Sequence, residues 1–440
     1  MTSSSPLRMR AIRLDAGRSW PADLVRFLDA PAVSGDADRV AAQALERIRR
    51  AGDRAVAALT LQFTGVALSP RQFRVGAAEL KSAAVSPAFR RAAREVRARV
   101  QRFARAGLRE DWSVPTPGGG RLGERFVPIR RVGLYIPGGV SPLASTALMT
   151  VPLAQAAGVS EIAVCTPCRA DGTVDPHILY ALRICGVTEI YRLGGIQAIG
   201  AMAYGTRSVP RVDLIAGPGG PYVTAAKRRV YGRVALDMVA GPSEIAVLCD
   251  DSASVDHVAA DLLSQAEHGT GEERTLCVTT SSELAGKLPG ALAALASAWK
   301  RWPTIRRVLE RNSRIVLVPS MEEGVRVINQ FAPEHLEILA RRPRAWAQRI
   351  AHAGAVFLGP WTPESAGDFA AGPSHVLPTG GSARYFSGLT AETFRRRMSV
   401  LELARADLDA WYPAIAEFAR VEDLPAHAES ARRRLKGRTP

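Results

Sequence analysis

The stretch from residue 131 to residue 220 opens on RVGLYIPGG (131–139) and closes on VDLIAGPGG (212–220). Between them lie STALMTVPLAQAAG (145–158), EIAVCTP (161–167), PHILYALRICG (176–186), EIYRLGG (189–195) and IQAIGAMAYG (196–205). Short β-rich apolar runs alternate with helical segments, and that alternation predicts a parallel sheet with crossover helices. Glycines recur where the predicted strands end, at Gly138-Gly139, Gly194-Gly195 and Gly217 to Gly220. In open parallel sheets that edge binds ligands. None of these loops spells GxGxxG, so they predict an α/β ligand site without naming the ligand.

Working outward, a second α/β stretch begins at EIAVLCD (244–250) and runs through a helix from about Ser254 to His268. It continues in RTLCVTTS (274–281), RIVLVPS (314–320) and AGAVFLG (353–359). Upstream, residues 37–110 carry apolar positions at three- and four-residue spacing and read as helices. VPTPGGGRLG (114–123) reads as a hairpin or a domain boundary. The C-terminal segment from 383 reads as a polar helical arm.

The chain has 440 residues, 47% of them hydrophobic, which excludes a disordered or collagen-like protein. No run of about 18 apolar residues exists to span a membrane. The five cysteines, Cys165, Cys168, Cys185, Cys249 and Cys277, are an odd number set in apolar runs, and they read as buried thiols of a cytoplasmic protein. The formal charge of +16 is the usual first hint of nucleic-acid binding. No interleaved aromatics accompany it, and the arginines fall on amphipathic helical stretches such as FRRAAREVRARVQRFAR (89–105). Neither a nucleic-acid nor a membrane partner is expected.

Four segments carry chemistry. In SVDHVAADLLSQAEHG (254–269), Gln265 and His268 stand three residues apart in the last helical turn, pointing the same way. In APEHLE (332–337), Pro333 reads as the first position of a helix, with Glu334 and His335 in its opening turn as a proton-moving pair. TPESAGDFAAGPSHVLPTGG (362–381) reads as a long loop carrying Asp368 and His375, and VEDLPAHAES (421–430) carries Glu422 and His427. Gln265, His268, Asp368 and His427 together form an N2O2 set that suits zinc with open coordination positions.

The motifs GLYIPGG (133–139), QAIGAMAYGT (197–206), AGPSE (240–244), LLSQAEHG (262–269), APEHLE (332–337), PESAGDFAAGPSHVLPT (363–379) and AH (426–427) resemble those of the histidinol dehydrogenase family, in order from about residue 40 to 430. The resemblance implies an α/β fold of two incomplete Rossmann-like parallel-sheet domains plus a small helical arm. It implies an N-terminal segment (1–36), a first domain of 37–130 with 244–382 carrying most metal and catalytic residues, and a second domain (131–243) with NAD contacts. A C-terminal dimerisation arm (383–440) completes it. It further implies that L-histidinol is oxidised through an aldehyde to L-histidine with two NAD and one zinc ion per subunit. Gln265, His268, Asp368 and His427 match the zinc ligands, and these four together with Ser243, His335, His375 and Glu422 match substrate contacts. Glu334 and His335 match the proton-transfer pair, while Tyr135, Gln197 and Gly220 fall at cofactor positions. A homodimer is implied in which the arm brings Glu422 and His427 to the other subunit's site.

On that reading neutral His335 takes the hydroxyl proton and Glu334 activates water for the second oxidation. Two positions depart from the family pattern. Gly220-Pro221 replaces the usual Asn after GPG, and Leu214 stands where Lys is frequent. The competing readings are a relative acting on another polar alcohol and, from a different class, a zinc hydrolase.

Overall fold

The computed structural model describes residues 6–29, 35–138 and 141–436, so Gly139 lies outside the described residues. Five parallel strands form the first sheet, in the order Glu189–Tyr191, Glu161–Cys165, Arg131–Tyr135, Leu214–Ala216 and Ala235–Leu236. Strand order reverses between Arg131–Tyr135 and Leu214–Ala216, which opens a crevice at their carboxyl ends. Helices Ala144–Ala156 and Pro176–Ile184 cover one face; Gly195–Tyr204 and Pro221–Val230 cover the other. The fold is α/β, as the alternation predicts.

The second sheet has six parallel strands in the order Arg10–Arg13, Ser313–Leu317, Arg274–Thr279, Glu244–Cys249, His335–Leu339 and Ala355–Leu358. Every residue of Glu244–Cys249, Arg274–Thr279 and His335–Leu339 is buried. A parallel sheet covered on both faces demands such near-continuous apolar runs. Each charged residue in them therefore needs a local reason.

Several expectations are corrected. The helices of 37–110 do not join the sheet of 244–382. Ala37, Ala41, Ala44, Leu45 and Ile48 of helix Gly35–Ala51 pack on helices Gly195–Tyr204 and Pro221–Val230, and Pro87–Ala106 packs against Ala144–Ala156. Gly200 permits the first contact, since a Cβ there would meet Ile48 Cδ1 at 2.6 Å. The N-terminal segment supplies an edge strand, Arg10–Arg13, to the second sheet. The C-terminal arm is not wholly helical. Its Arg395–Glu402 pairs antiparallel with Arg121–Pro128, which pairs with Trp112–Pro115 across the expected hairpin. Helices Arg405–Val421 and Pro425–Lys436 follow. Asp407, 1% exposed, pins the arm to the hairpin by accepting from Thr116 Oγ1 (2.6 Å), Gly118 N (2.6 Å) and Gly120 N (3.0 Å).

Pro333 starts no helix. Helix Met321–Phe331 ends at Ala332, held at φ 49°, and His335 then opens a strand between Glu244–Cys249 and Ala355–Leu358. The aliphatic run HLEIL is short enough to serve either element, and two distant partner strands select the extended form. No helix among the described residues is long and apolar enough to cross a membrane.

Candidate active site

A cleft of about 730 Å³ lies between the two sheets. The first sheet contributes its carboxyl edge through Tyr135, Gly138 and Gly217 to Gly220, with Gln197 from the following helix. The second contributes residues that precede its strands: Ser243 before Glu244–Cys249, Glu334 before His335–Leu339, and His268 and Glu273 before Arg274–Thr279. His375 lines the same space. The alternating sequence pattern reveals the first edge but not the second.

Helix Val255–Ala266 is capped by Ser254, whose side chain accepts from His257 N, and it delivers Gln265 into the interior at 0% exposure. His268 follows one turn later. Its Nδ1 lies 2.8 Å from the Gln265 side-chain nitrogen and 3.0 Å from the Gln265 carbonyl oxygen. The carbonyl calls for an Nδ1 that carries the hydrogen and the amide nitrogen for one that does not, so the two contacts hold the ring without fixing its tautomer. The other ring nitrogen, Nε2, lies 4.0 Å from Asp368 Oδ2. The gap is too wide for a hydrogen bond and suits two ligands of one cation.

His335 is buried beneath this pair. Its Nδ1 donates to Glu244 O (3.1 Å) and lies 3.2 Å from Gln265 Oε1, while Nε2 has no hydrogen-bond partner among the described residues and stands 3.4 Å from Asp368 Oδ1. Glu334 Oε2 accepts from Glu244 N (2.9 Å) and lies 3.7 Å from His335 Nδ1. Burial pushes the Glu334 carboxyl up to about 8 against the opposing pull of His335. Burial alone would draw His335 down, but Glu334, Asp368 and Glu364 outweigh it and push the imidazole up to about 10. The acidic groups around His335 thus favour the imidazolium, where the sequence reading has the ring neutral. His375 goes the other way. Burial lowers it, its Nδ1 donates to Asp368 O (3.0 Å), and Nε2 stands 3.1 Å from Thr146 Oγ1.

The cofactor positions expected from the resemblance line the same cleft. Gln197 is 1% exposed, yet among the described residues neither its amide oxygen nor its nitrogen has a partner. A buried amide left unpaired beside a cleft is a group waiting for a ligand. Tyr135, pushed up to about 12 by burial, accepts from Gly195 N at 3.1 Å and keeps its own hydroxyl proton for donation. Gly217, at φ 119°, has no room for a side chain, since a Cβ would meet Tyr135 O at 2.1 Å. Gly220 is different: its φ is −66° and a Cβ there would meet nothing within 4 Å. Leu214 is a core residue, 2% exposed, and takes no part in the cleft.

Gln265, His268, Asp368, Glu334, His335, Ser243 and His375 therefore come together in one chain. Glu422 and His427 do not join them. Both are exposed on the arm, where they line a separate groove with Trp411, Phe418 and Leu424.

Sequence reasoning missed Glu364, 1% exposed, whose Oε1 lies 3.9 Å from His335 Nδ1 without a hydrogen bond. Its Oε2 accepts from Ser264 Oγ. Donor atoms of His335, Glu364 and Asp368 lie within 4.8 Å of one another, a second grouping that shares Asp368. Also missed were Glu337, pushed up to about 10 by burial and by its contact with Asp261, and Glu244, tied to Arg274 Nη1 at 2.7 Å. Charged residues inside the apolar runs HLEIL and EIAVLC were the available signal. A final omission is Lys227, which donates to Gly217 O (2.9 Å) and Asp237 Oδ1 (2.5 Å) beneath the glycine loop.

The sequence model of the family described as histidinol dehydrogenase matches residues 31–435. The histidinol dehydrogenase of Symbiobacterium thermophilum is 45% identical over 394 residues, covering 89% of this chain and 89% of its own length. That of Chlorobaculum tepidum is 41% identical over 403 residues, covering 91% and 94%. The crystal structure of histidinol dehydrogenase from Elizabethkingia anophelis shares the fold with a TM-score of 0.90 at 34% identity, over 97% of this chain and 98% of that one.

Proposed function

The chain belongs to the histidinol dehydrogenase family of oxidoreductases, and we propose from its site that it oxidises L-histidinol through an aldehyde to L-histidine with two NAD and one zinc ion per subunit. The observation that carries this reading is the 4.0 Å approach of His268 Nε2 to Asp368 Oδ2 beside the cleft, with Gln265 buried behind them.

Gln265, His268 and Asp368 are the donors this chain would offer to zinc, an N/O set with a single carboxylate. His268 Nδ1 is held by the carbonyl and amide of Gln265, which fixes the ring as an outer partner fixes a metal-ligating imidazole. The exposed His427, with Glu422 beside it, would complete the set in a second copy of the chain, which makes a homodimer part of the proposal. Bound zinc would supply a Lewis acid and a template for the substrate's imidazole and amine. Bound NAD would supply the hydride acceptor, along the wall formed by Tyr135, the unpaired Gln197 amide and the Gly217 to Gly220 turn.

The proton work falls to Glu334 and His335. His335 is fixed at Nδ1 by Glu244 O, so Nε2 is the atom that accepts the hydroxyl proton of the alcohol. Glu334 and Asp368 both favour the imidazolium of His335, and ligation of Asp368 would weaken its share of that pull. In the second oxidation, water adds to the aldehyde carbon and gives up a proton to Glu334, which lines the cleft and whose raised affinity suits a base working near neutrality. His335, having released the alcohol's proton to solvent between the two oxidations, takes the hydrate's remaining hydroxyl proton as the carboxylate forms. Ser243 and His375, neutral by burial, bound the substrate side.

The test is NADH formation on mixing the chain with L-histidinol, NAD and zinc. A hydrolase using the same donors would form none, and a dehydrogenase of another alcohol would leave histidinol unchanged.

A further inference from the structure

We propose that a second cavity, on the rim of the first sheet and lined by Arg71, Arg74, Asp171 and Arg192, is a binding site for a small phosphate-bearing anion. It measures about 530 Å³, within the range of small-molecule sites. It lies back to back with the main cleft along two shared segments. Phe63, Thr64 and Pro167 face the cleft, whereas Gly65 to Leu68 and Ala170 to Thr173 face the new cavity.

Its charge is concentrated, three guanidinium groups against the carboxylates of Asp171 and Glu79. Arg71 and Arg74 have neither a hydrogen bond nor an ion pair from their guanidinium groups among the described residues. Many arginines on the helices differ in this respect, such as Arg49 and Arg50, which share Glu46, or Arg432 and Arg433, which share Glu429. Arg192 is 14% exposed at its side chain, held by Gly172 O (2.8 Å) and Glu79 Oε2 (2.6 Å), and its Nε is buried without a partner. The carboxylate of Asp171 is occupied by Thr173 N (2.9 Å) and Thr173 Oγ1 (2.7 Å). The cavity thus presents more guanidinium charge than it neutralises.

Its walls are also fixed in advance. Phe73 to Val75 extend the edge of the first sheet, through Val75 N to Ile190 O (2.8 Å) and Arg192 N to Phe73 O (2.8 Å), and this places Arg74 and Arg192 on one rim. The opposite loop closes on itself through Arg169 N to Thr173 O (2.7 Å). Ser69 and Gln72 brace the short turn that carries Arg71. Guanidinium forks that line one cavity on a rigid frame match the tetrahedral oxygens of a phosphate better than a halide or a monodentate carboxylate.

The probe is inorganic phosphate, titrated calorimetrically into the full-length chain at low, constant chloride, with ribose 5-phosphate as the second arm. Saturable binding at one site per chain is expected. Arg71→Gln and Arg74→Gln should each weaken it at least about tenfold, the loss of one charge-assisted contact. Arg39→Gln, which removes the same charge from an exposed helix position, should leave it unchanged. If ribose 5-phosphate binds tenfold or more tightly than phosphate, the site takes a phosphorylated metabolite; equal affinities mean that it reads free phosphate. Absence of saturable binding, or equal weakening by Arg39→Gln and Arg74→Gln, overturns the proposal.

Discussion

His268 Nε2 faces Asp368 Oδ2 across 4.0 Å with no hydrogen bond between them. Two good donors at that separation beside a cleft define the place where zinc is proposed to sit. His268→Asn or Asp368→Asn should therefore abolish retention of zinc through dialysis and lower kcat by at least about a hundredfold. Metal analysis and steady-state rates check both. Wild-type zinc content in either variant would remove these residues from the metal site.

Glu334→Gln should separate the two oxidations. The alcohol step survives while the aldehyde step slows at least about tenfold, because only the latter needs a base for water. The pH response has a definite sign. A base works when ionised, and burial raises Glu334 to about 8, so wild-type aldehyde oxidation climbs with pH and levels off above that value. In Glu334→Gln the climb disappears. Equal loss of both steps would end this division of labour.

Lys227 and Asp237 form a buried pair, 4% and 0% exposed at their side chains, and together they hold both peptide groups of Gly217. Asp237→Ala leaves an ammonium buried without a counter-charge. It should cost about 3–5 kcal/mol in urea denaturation and raise the KM for NAD.

Gly220→Asn should restore a side chain where the family usually has one. The backbone already adopts an ordinary conformation there and the space is open. One added hydrogen bond of about 0.5–1.5 kcal/mol predicts a roughly two- to tenfold lower KM for NAD, with kcat unchanged. Titration by cofactor fluorescence gives the same comparison without turnover.

The exposed His427 allows a test of shared sites. His268→Asn and His427→Ala homodimers should both be inactive, whereas mixing and reassociating them should restore about a quarter of wild-type activity, since half the dimers are mixed and each holds one intact site. No recovery would place His427 outside the partner's site.

The first sheet was legible because its strands and crossover helices alternate within one continuous stretch, and the Ser254 cap and the Gln265/His268 spacing were legible because they are local. Glu334 and His335 were found but placed on a helix, because a proline before an acidic pair reads as a helix start until Glu244–Cys249 and Ala355–Leu358 claim the segment as a strand. The packing of residues 35–64 on the first sheet depends on a contact at Gly200 that no periodicity records. Glu364 was missed for a different reason. An acid just after a proline at a helix start is ordinary on a surface, and its role follows only from burial against His335 some thirty residues away in sequence.

The central claim is a four-electron oxidation dependent on zinc at the Gln265, His268 and Asp368 site. It is tested most directly by counting NADH formed per L-histidinol consumed, in chelated enzyme and again after zinc is restored. The account predicts two NADH and one L-histidine per histidinol with zinc, and neither product without it. One NADH with accumulation of the aldehyde, or full turnover by the chelated enzyme, would contradict it.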